Sequence, residues 1–348
     1  MEKVHCNNAS YFGAANSFHG FESNFMRIFS AEKFSRIYIL KGGPGTGKST
    51  LMKRFASDYE KSECSVTRIL CSSDPHSLDG VIVEHKGRRV AVLDGTAPHT
   101  MDPSMPGAID EIINLYDAFN MRGLVERIRD IELLNATKKK HYANAYAHLK
   151  LAGEVNSGIW HIISKYAYYD KAERLIEPIL ENESVKKHEG DYTTDFLVSA
   201  FGKNGYTRLD IPCIEKEYFS VVGDGFSEYF VLNIVLKKLH DLNVISRVMP
   251  SPLTKAMTDA ILTDSSVIAT DCIGSHVLET SSVFSALPCE YEYLKKVYKD
   301  ILSFAEIEFK LASGAHMSLE KIYTTNMNFE YNESVSERML RESKDYLF

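Results

Sequence analysis

Apolar residues fall into two patterns along the chain, short runs first and helical spacing afterwards. Ile37-Tyr38-Ile39-Leu40, Val66-Thr67-Arg68-Ile69-Leu70-Cys71, Val81-Ile82-Val83 and Val90-Ala91-Val92-Leu93 have strand length. Nearly continuous apolar runs of this kind suit strands buried on both faces. Leu51-Met52-Lys53-Arg54-Phe55-Ala56 has helical spacing, which extends to about Tyr59. Residues 9–36 offer a short β-like start, a turn around His19-Gly20 and a helical patch from Phe25 to Phe29. Strands alternating with helices predict an α/β fold with a parallel sheet covered on both faces.

From about Gly107 the pattern changes. Residues 108–182 carry Leu124, Ile128, Ile131, Leu149, Ala152, Val155, Ile159 and Ile162 at helical spacing, with little to interrupt them before Pro178. This predicts one or two long helices projecting from the sheet. Leu294, Val297, Ile301, Phe304, Leu311 and Leu319 mark a second long apolar face. Such a face either packs on the first long helix or carries a partner site.

Self-comparison relates the two stretches. Lys150-Leu151-Ala152 aligns with Lys310-Leu311-Ala312, Val90–Asp94 with Val267–Asp271, and His99 with His276. Upstream, Ala15 and Gly20-Phe21 align with Ala200 and Gly205-Tyr206. The colinear matches predict a tandem duplication, with halves at 1–187 and 188–348, each a parallel-sheet domain with a long helical extension.

Between the run at 37–40 and the helix at 51 lies Gly42-Gly43-Pro44-Gly45-Thr46-Gly47-Lys48-Ser49-Thr50. It reads G-x-x-x-x-G-K-[ST] in the strand–loop–helix setting that a P-loop requires. The glycines let backbone N–H groups turn toward a phosphate, and the helix N-terminus adds its dipole. Lys48 is expected to reach the β- and γ-phosphates of a nucleotide, and the Ser49 hydroxyl to take a place on Mg²⁺. The second half has Gly223-Asp224-Gly225-Phe226-Ser227-Glu228 where the first has this motif. It lacks the Lys and the Ser/Thr after it, and its carboxylates repel phosphate. One working site and one degenerate site is the expectation.

Asp94, ending the apolar run at 90–93, suits the carboxylate that holds Mg²⁺ in such sites, although Asp before Gly is also a turn signal. Gly95 stands where many ATP hydrolases have a water-activating Glu. Candidates for the catalytic group are Asp74, Asp79, His76 and His99. Asp74 follows a strand that should end at the same sheet edge as the P-loop, where ligands bind in open α/β sheets. Ser72-Ser73-Asp74-Pro75 also reads as a turn on its own. His99 lies just past Asp94, either facing the γ-phosphate or on a loop. Arg27, Arg36, Arg88 and Arg89 could supply transition-state charge, and so could a partner. Lys41 precedes the first glycine, and Ala97 breaks a D-x-x-G pattern, so neither signature-lysine ATPases nor guanine selectivity is supported.

The chain has 348 residues and a net charge of −7. Its length predicts two domains, and its charge argues against a general nucleic-acid binder. The scattered cysteines Cys6, Cys64, Cys71, Cys213, Cys272 and Cys289 fit thiols in a reducing compartment. No signal peptide and no membrane-length apolar run is apparent, so the expected address is the cytoplasm.

KGGPGTGKST (41–50), CSSDPHSLDGV (71–81), LDGTAPHTMDPSMPGA (93–108) and LEKIYTTNMNFE (319–330) resemble an uncharacterised family of tandem-P-loop ATPases from Gram-positive bacteria. The resemblance covers nearly the whole chain and implies ATP binding and hydrolysis, with no established substrate. Family members often carry a P-loop in both halves, and residues 223–229 depart from that. Three functions follow as expectations: a Mg²⁺-dependent ATPase, a kinase with a small-molecule or nucleotide acceptor, or a nucleotide-gated protein whose long helices bind an unidentified partner.

Overall fold

A computed structural model of the protein describes residues 8–183, 195–211, 216–244, 246–270 and 274–348. The first part contains β1 (Ala9–Phe12), β2 (Ala14–Ser17), β3 (Gly20–Ser23), α1 (Phe25–Ile28), β4 (Arg36–Lys41), α2 (Lys48–Tyr59), β5 (Ser65–Leu70), β6 (Leu78–His85), β7 (Arg88–Asp94) and β8 (Asp110–Asn114). Then come α3 (Met121–Glu126), α4 (Ile128–Tyr166), α5 (Tyr169–Leu175) and α6 (Glu177–Asn182). The second part contains β9 (Ser199–Gly202), β10 (Gly205–Arg208), β11 (Glu217–Val222), α7 (Ser227–Asp241), β12 (Arg247–Pro250), β13 (Thr258–Leu262), β14 (Ser266–Thr270), β15 (His276–Glu279), α8 (Cys289–Thr324) and α9 (Phe329–Leu347).

The protein is mixed α/β, built on two sheets that contain parallel strands. Among the described residues the first has the order β1-β5-β6-β7-β4-β8 and the second β12-β13-β14-β11-β15. Neither sheet is wholly parallel, which corrects the expectation from the alternating pattern. β6 runs antiparallel to both β5 and β7. The cause is local: Lys86 (φ 48°) and Gly87 (φ 80°) form the whole connection from β6 to β7. A two-residue turn with positive φ at both positions joins only antiparallel neighbours. A further correction falls at 110–114, inside the stretch expected to be helical. Asp110–Asn114 instead pairs in parallel with β4 as an edge strand. β2–β3 and β9–β10 form separate antiparallel hairpins.

Buried residues alternate across β4. Tyr38 and Leu40 join α2 and α9 in one core, while Ile37 and Ile39 join Phe25, Ile28 and Phe29 in another. The same alternation in β7 sends Val90 and Val92 to the α2 side. Each strand is thus buried on both faces, as its continuous apolar run required.

α4 spans 39 residues and α8 spans 36. They do not project freely but lie antiparallel against each other, with His141 Nδ1 2.7 Å from Glu308 Oε2 and Gly158 facing Leu294. Ile301 and Leu319 are buried as expected, whereas Phe304 (52% exposed) and Leu311 (48%) are not.

The helical covers change partners between the halves. The later part of α4, with α5 and α6, enters the core of the second sheet through Ile159, Ile163, Ala172 and Ile179. α9 returns to the first sheet and buries Val335, Met339, Leu340 and Leu347 against Tyr38, Leu40 and Phe55. Each such side chain contributes roughly 1.5–3 kcal/mol of burial. The expected boundary at 187/188 lies outside the described residues, as do Cys6, Cys213, Asp271 and Cys272. No helix among the described residues is long and apolar enough to cross a membrane.

Candidate functional site

The parallel register of β4 with β7 sets Leu40 opposite Asp94, so the Gly42–Thr50 loop and Asp94 emerge at one sheet edge. Lys41 fastens that edge: its Nζ donates to Gly95 O (2.9 Å) and Met101 O (2.8 Å). The loop turns on Gly45 (φ 71°) and Gly47 (φ 81°), conformations that L side chains rarely take. The buried Thr46 hydroxyl donates to Gly43 O at 2.8 Å and closes the turn. α2 then starts at Lys48, with Leu51 N–H on Gly47 O.

Lys48 Nζ donates to Gly42 O (2.8 Å) and Gly43 O (2.9 Å), and lies 3.6 Å from Asp94 Oδ2. The other Asp94 oxygen accepts from Thr96 N (2.9 Å) and Thr96 Oγ1 (2.6 Å). Ser49 Oγ accepts the Leu78 N–H at 2.9 Å. Pro44 is partly buried in the loop and Thr50 is exposed on the first turn of α2. Gly45, Thr46, Gly47, Lys48 and Ser49 donate their amides to no acceptor among the described residues. Five such donors beside an ammonium group and a helix N-terminus form an anion receptor.

The outer, carbonyl side of the same loop is held by the far end of the chain. Asn332 Nδ2 donates to Thr46 O (2.6 Å) and Thr324 Oγ1 to Gly45 O (3.4 Å). A Cβ on Gly45 would sit 2.7 Å from Glu320 O, and one on Gly43 3.6 Å from Tyr323 and Phe119. Glycine at position 45 is therefore required twice, by its φ and by the last turns of α8.

The structure brings Lys48, Ser49 and Asp94 to one edge and treats the other candidates differently. Asp74 reaches Lys203 of the β9–β10 turn, at 2.8 Å, and caps the His76 N–H at 3.3 Å. Burial works against its charge, but Lys203 outweighs burial and holds the carboxyl below its usual value. His99 lies on the α1 face, stacked on Phe25 (centroids 4.2 Å apart) and edge-on to Phe21. Its Nε2 is 3.0 Å from the buried Asp79, and its Nδ1 has no hydrogen-bond partner. His76 is exposed, and its carbonyl accepts from Lys53 Nζ. Gly95 could carry no carboxylate, since even a Cβ there would lie 2.3 Å from Ile39 Cγ2.

Sequence reasoning missed three residues near the loop, Lys203, His316 and Glu320. His316 and Glu320, one turn apart on α8, lie 3.6 Å from each other. Burial and then the ammonium groups of Lys138, Lys48 and Lys203 push the His316 imidazole down to about 4, against the opposing charge of Asp74. Burial, and the charge of Asp74, raise the Glu320 carboxyl. These residues belong to distant parts of the chain, and no local pattern marks them.

The second strand-to-helix turn satisfies its amides internally. Gly225 N donates to Glu228 Oε1 (3.0 Å) and Oε2 (3.1 Å). Phe226 N and Ser227 N donate to Asp224 Oδ1, and Asp224 N to Ser227 Oγ. Asp224 Oδ2 accepts from Tyr291 OH (2.7 Å) and Lys295 Nζ (2.8 Å). Burial opposes its charge, but these donors hold the carboxyl down to about 2. Burial raises Glu228.

The fold and this edge define an α/β protein with an anion receptor where a strand passes into a helix. No protein-family model, curated protein or solved structure matches the chain.

Proposed function

We propose that the protein binds ATP with Mg²⁺ at Gly42–Thr50 and hydrolyses it. The observation that carries this reading is the set of amides from Gly45 to Ser49, around Lys48, that have no acceptor among the described residues. An anion with several acceptor oxygens satisfies all of them together, as a β-phosphate does in a P-loop.

Ser49 and Asp94 fit a hard cation. Among the described residues no three His, Cys, Asp or Glu side chains cluster as a metal cage. Mg²⁺ needs none, because it is held by one or two protein oxygens plus phosphates and water. Ser49 Oγ, with one acceptor position used by Leu78, retains a lone pair, and Asp94 Oδ2 faces only Lys48. Bound there, the metal would neutralise phosphate charge. Lys48 would exchange its loop carbonyls for β- and γ-oxygens, and the amides of Gly45 to Ser49 would orient the chain of phosphates. Water attacks the γ-phosphorus as the bond to the bridging oxygen breaks. ADP leaves with that electron pair, and the water proton passes to a carboxylate. Asp74, on the loop that Leu78 ties to Ser49, and Glu320, whose carbonyl lies against Gly45, are the carboxylates available for that role, whereas His99 has its ring among Phe25 and Phe21.

Three of the matched segments occupy equivalent elements, β2–β3 with β9–β10, β7 with β14 and α4 with α8, whereas His99 lies in the loop after β7 and His276 opens β15. This supports a tandem duplication and the likeness to tandem-P-loop ATPases, with the second site degenerate. Gly95 favours the kinase as a second reading, because the space against Ile39 leaves no room for a water-activating Glu.

The test is ATP binding and turnover by the intact chain, with and without Mg²⁺. Asp94→Asn should lower turnover at least about a hundredfold and leave Mg²⁺-free nucleotide affinity within a few-fold. A wild-type chain that fails to bind ATP at millimolar concentration overturns the reading. Phosphate release without an acceptor supports hydrolysis, and acceptor-dependent ADP formation supports the kinase.

A further inference from the structure

On the proposed reading, strand order sets which way a nucleotide lies. Asp94 ends β7 on one side of β4, and Lys48 Nζ is 3.6 Å from its carboxylate. Phosphates that run toward that carboxylate leave the nucleoside to emerge on the opposite flank, where β8 pairs with β4. A P-loop cradles phosphates and leaves the base free. Whatever recognises the base must therefore come from the β8 flank.

Two distant stretches of the chain are zipped together there. Asn328 N donates to Ala118 O and Asn120 N to Asn326 O, both at 2.8 Å. Tyr331 OH, in the first turn of α9, donates to Asn114 O at the end of β8 (3.3 Å). Each stretch carries a large ring to the surface. Phe329, the first residue of α9, is 45% exposed, and its ring edge lies 3.6 Å from the place of a Cβ on Gly47. Tyr116, two residues before Ala118, is 44% exposed, with its ring centroid 5.7 Å from that of Phe119. Phe119 in turn lies beside Gly43. The start of α9 is anchored around Phe329: Asn332 Nδ2 donates to Thr46 O at 2.6 Å, and Glu333 lies 3.4 Å from Arg54 of α2. A half-exposed ring held beside an anion receptor gains by being covered, and a flat aromatic base covers it by stacking.

We propose that Phe329 is the platform on which the nucleobase stacks, with Tyr116 on the neighbouring segment as a second, weaker contact. The proposal rests on nucleotide binding at Gly42–Thr50 and adds how the base is taken. Recognition by the face of a ring reads the area of a base rather than its hydrogen-bonding edge, since every base has a π-face. Adenine and guanine nucleotides therefore bind alike, and pyrimidine nucleotides more weakly. α9 has two tasks at the site, bracing the loop through Asn332 and holding the base through Phe329.

The test is titration of the full chain, with Mg²⁺ present, with ADP and with pyrophosphate, which offers the loop two phosphates and no base. Phe329→Ala should weaken ADP binding about tenfold or more and change pyrophosphate binding by less than about threefold. Phe329→Trp should restore ADP affinity, and Tyr116→Ala should weaken ADP by a smaller factor than Phe329→Ala does. GDP should bind the wild type within about threefold of ADP. Thermal melting that matches wild type establishes that each variant is folded. If Phe329→Ala binds ADP as tightly as wild type does, the platform is wrong and nucleotide binding at the loop stands. Equal losses for ADP and pyrophosphate also overturn it, because Phe329 then only props the loop. A preference for ADP over GDP of about a hundredfold overturns recognition by stacking. If the wild type binds neither ligand, both readings fall.

Discussion

Two loops carry a strand into a helix, Gly42–Ser49 and Gly223–Ser227, and they dispose of their amides in opposite ways. The first leaves five N–H groups without an acceptor among the described residues and folds an ammonium over its mouth. The second turns its own carboxylates inward, Glu228 onto Gly225 and Asp224 onto Phe226 and Ser227, and borrows its cation from α8 through Lys295. A loop of this shape turns its N–H groups inward: on the proposed reading an anion from solution meets them in one half, and the chain's own side chains meet them in the other. The second loop is therefore not a weak form of the first. Its place is taken by the chain's own carboxylates.

The largest effect that separates the loops is on nucleotide affinity. Lys48→Ala should raise the dissociation constant for ATP about a thousandfold or more, roughly 4 kcal/mol, measured by titration calorimetry. Lys295→Ala should leave that constant unchanged. A variant at 295 that binds ATP as poorly as one at 48 would show that the two loops are not separate in function.

The next concerns α8, which touches Asp224 near its start and Gly45 near its end. Ile301→Asp, in the core shared by the helices, should cost about 3 kcal/mol in a denaturant titration. Leu311→Asp, with its side chain half in solvent, should cost under about 1 kcal/mol. Equal losses would mean that α8 buries a different face from the one described.

The smallest effect is on pH. The folded value of Asp224 lies below its unfolded value, so its contribution is present above about pH 3.8 and fades as pH falls toward about 2. Its side chain is 35% exposed, so screening reduces this to about 1 kcal/mol. Glu228 has the opposite sign: its raised carboxyl makes the fold less stable as pH rises through that value. Asp224→Asn should flatten the acid limb of a melting-temperature profile. An unchanged limb would show that Lys295 and Tyr291 do not hold that carboxylate.

The first of these loops was legible in the sequence because its constraints are local. Spacing of Gly42, Gly47, Lys48 and Ser49 between an apolar run and a helix is enough to place strand, turn and helix start. β6 was misread as part of a parallel sheet although Lys86-Gly87 carries the hairpin signal. β8 hid inside a helical-looking stretch, since only Ile113 and the buried Asp110, which accepts from Ser104 and Met105, anchor it. Lys203, His316 and Glu320 were invisible for a different reason. Their proximity to Lys48 depends on which sheet each helix covers, and helical periodicity gives an apolar face without naming its partner.

The return of α9 to the first sheet has a consequence for synthesis. The Gly42–Ser49 loop is among the early residues made, but the helix that braces it through Asn332 and lines its core through Met339 is among the late ones. A nascent chain grows at about 5–20 residues per second. For many seconds, then, residues 36–94 have no α9 to cover Tyr38 and Leu40. Tight grip on a nucleotide should therefore arrive late in translation, and a chain shortened before residue 329 should bear the motif without the grip.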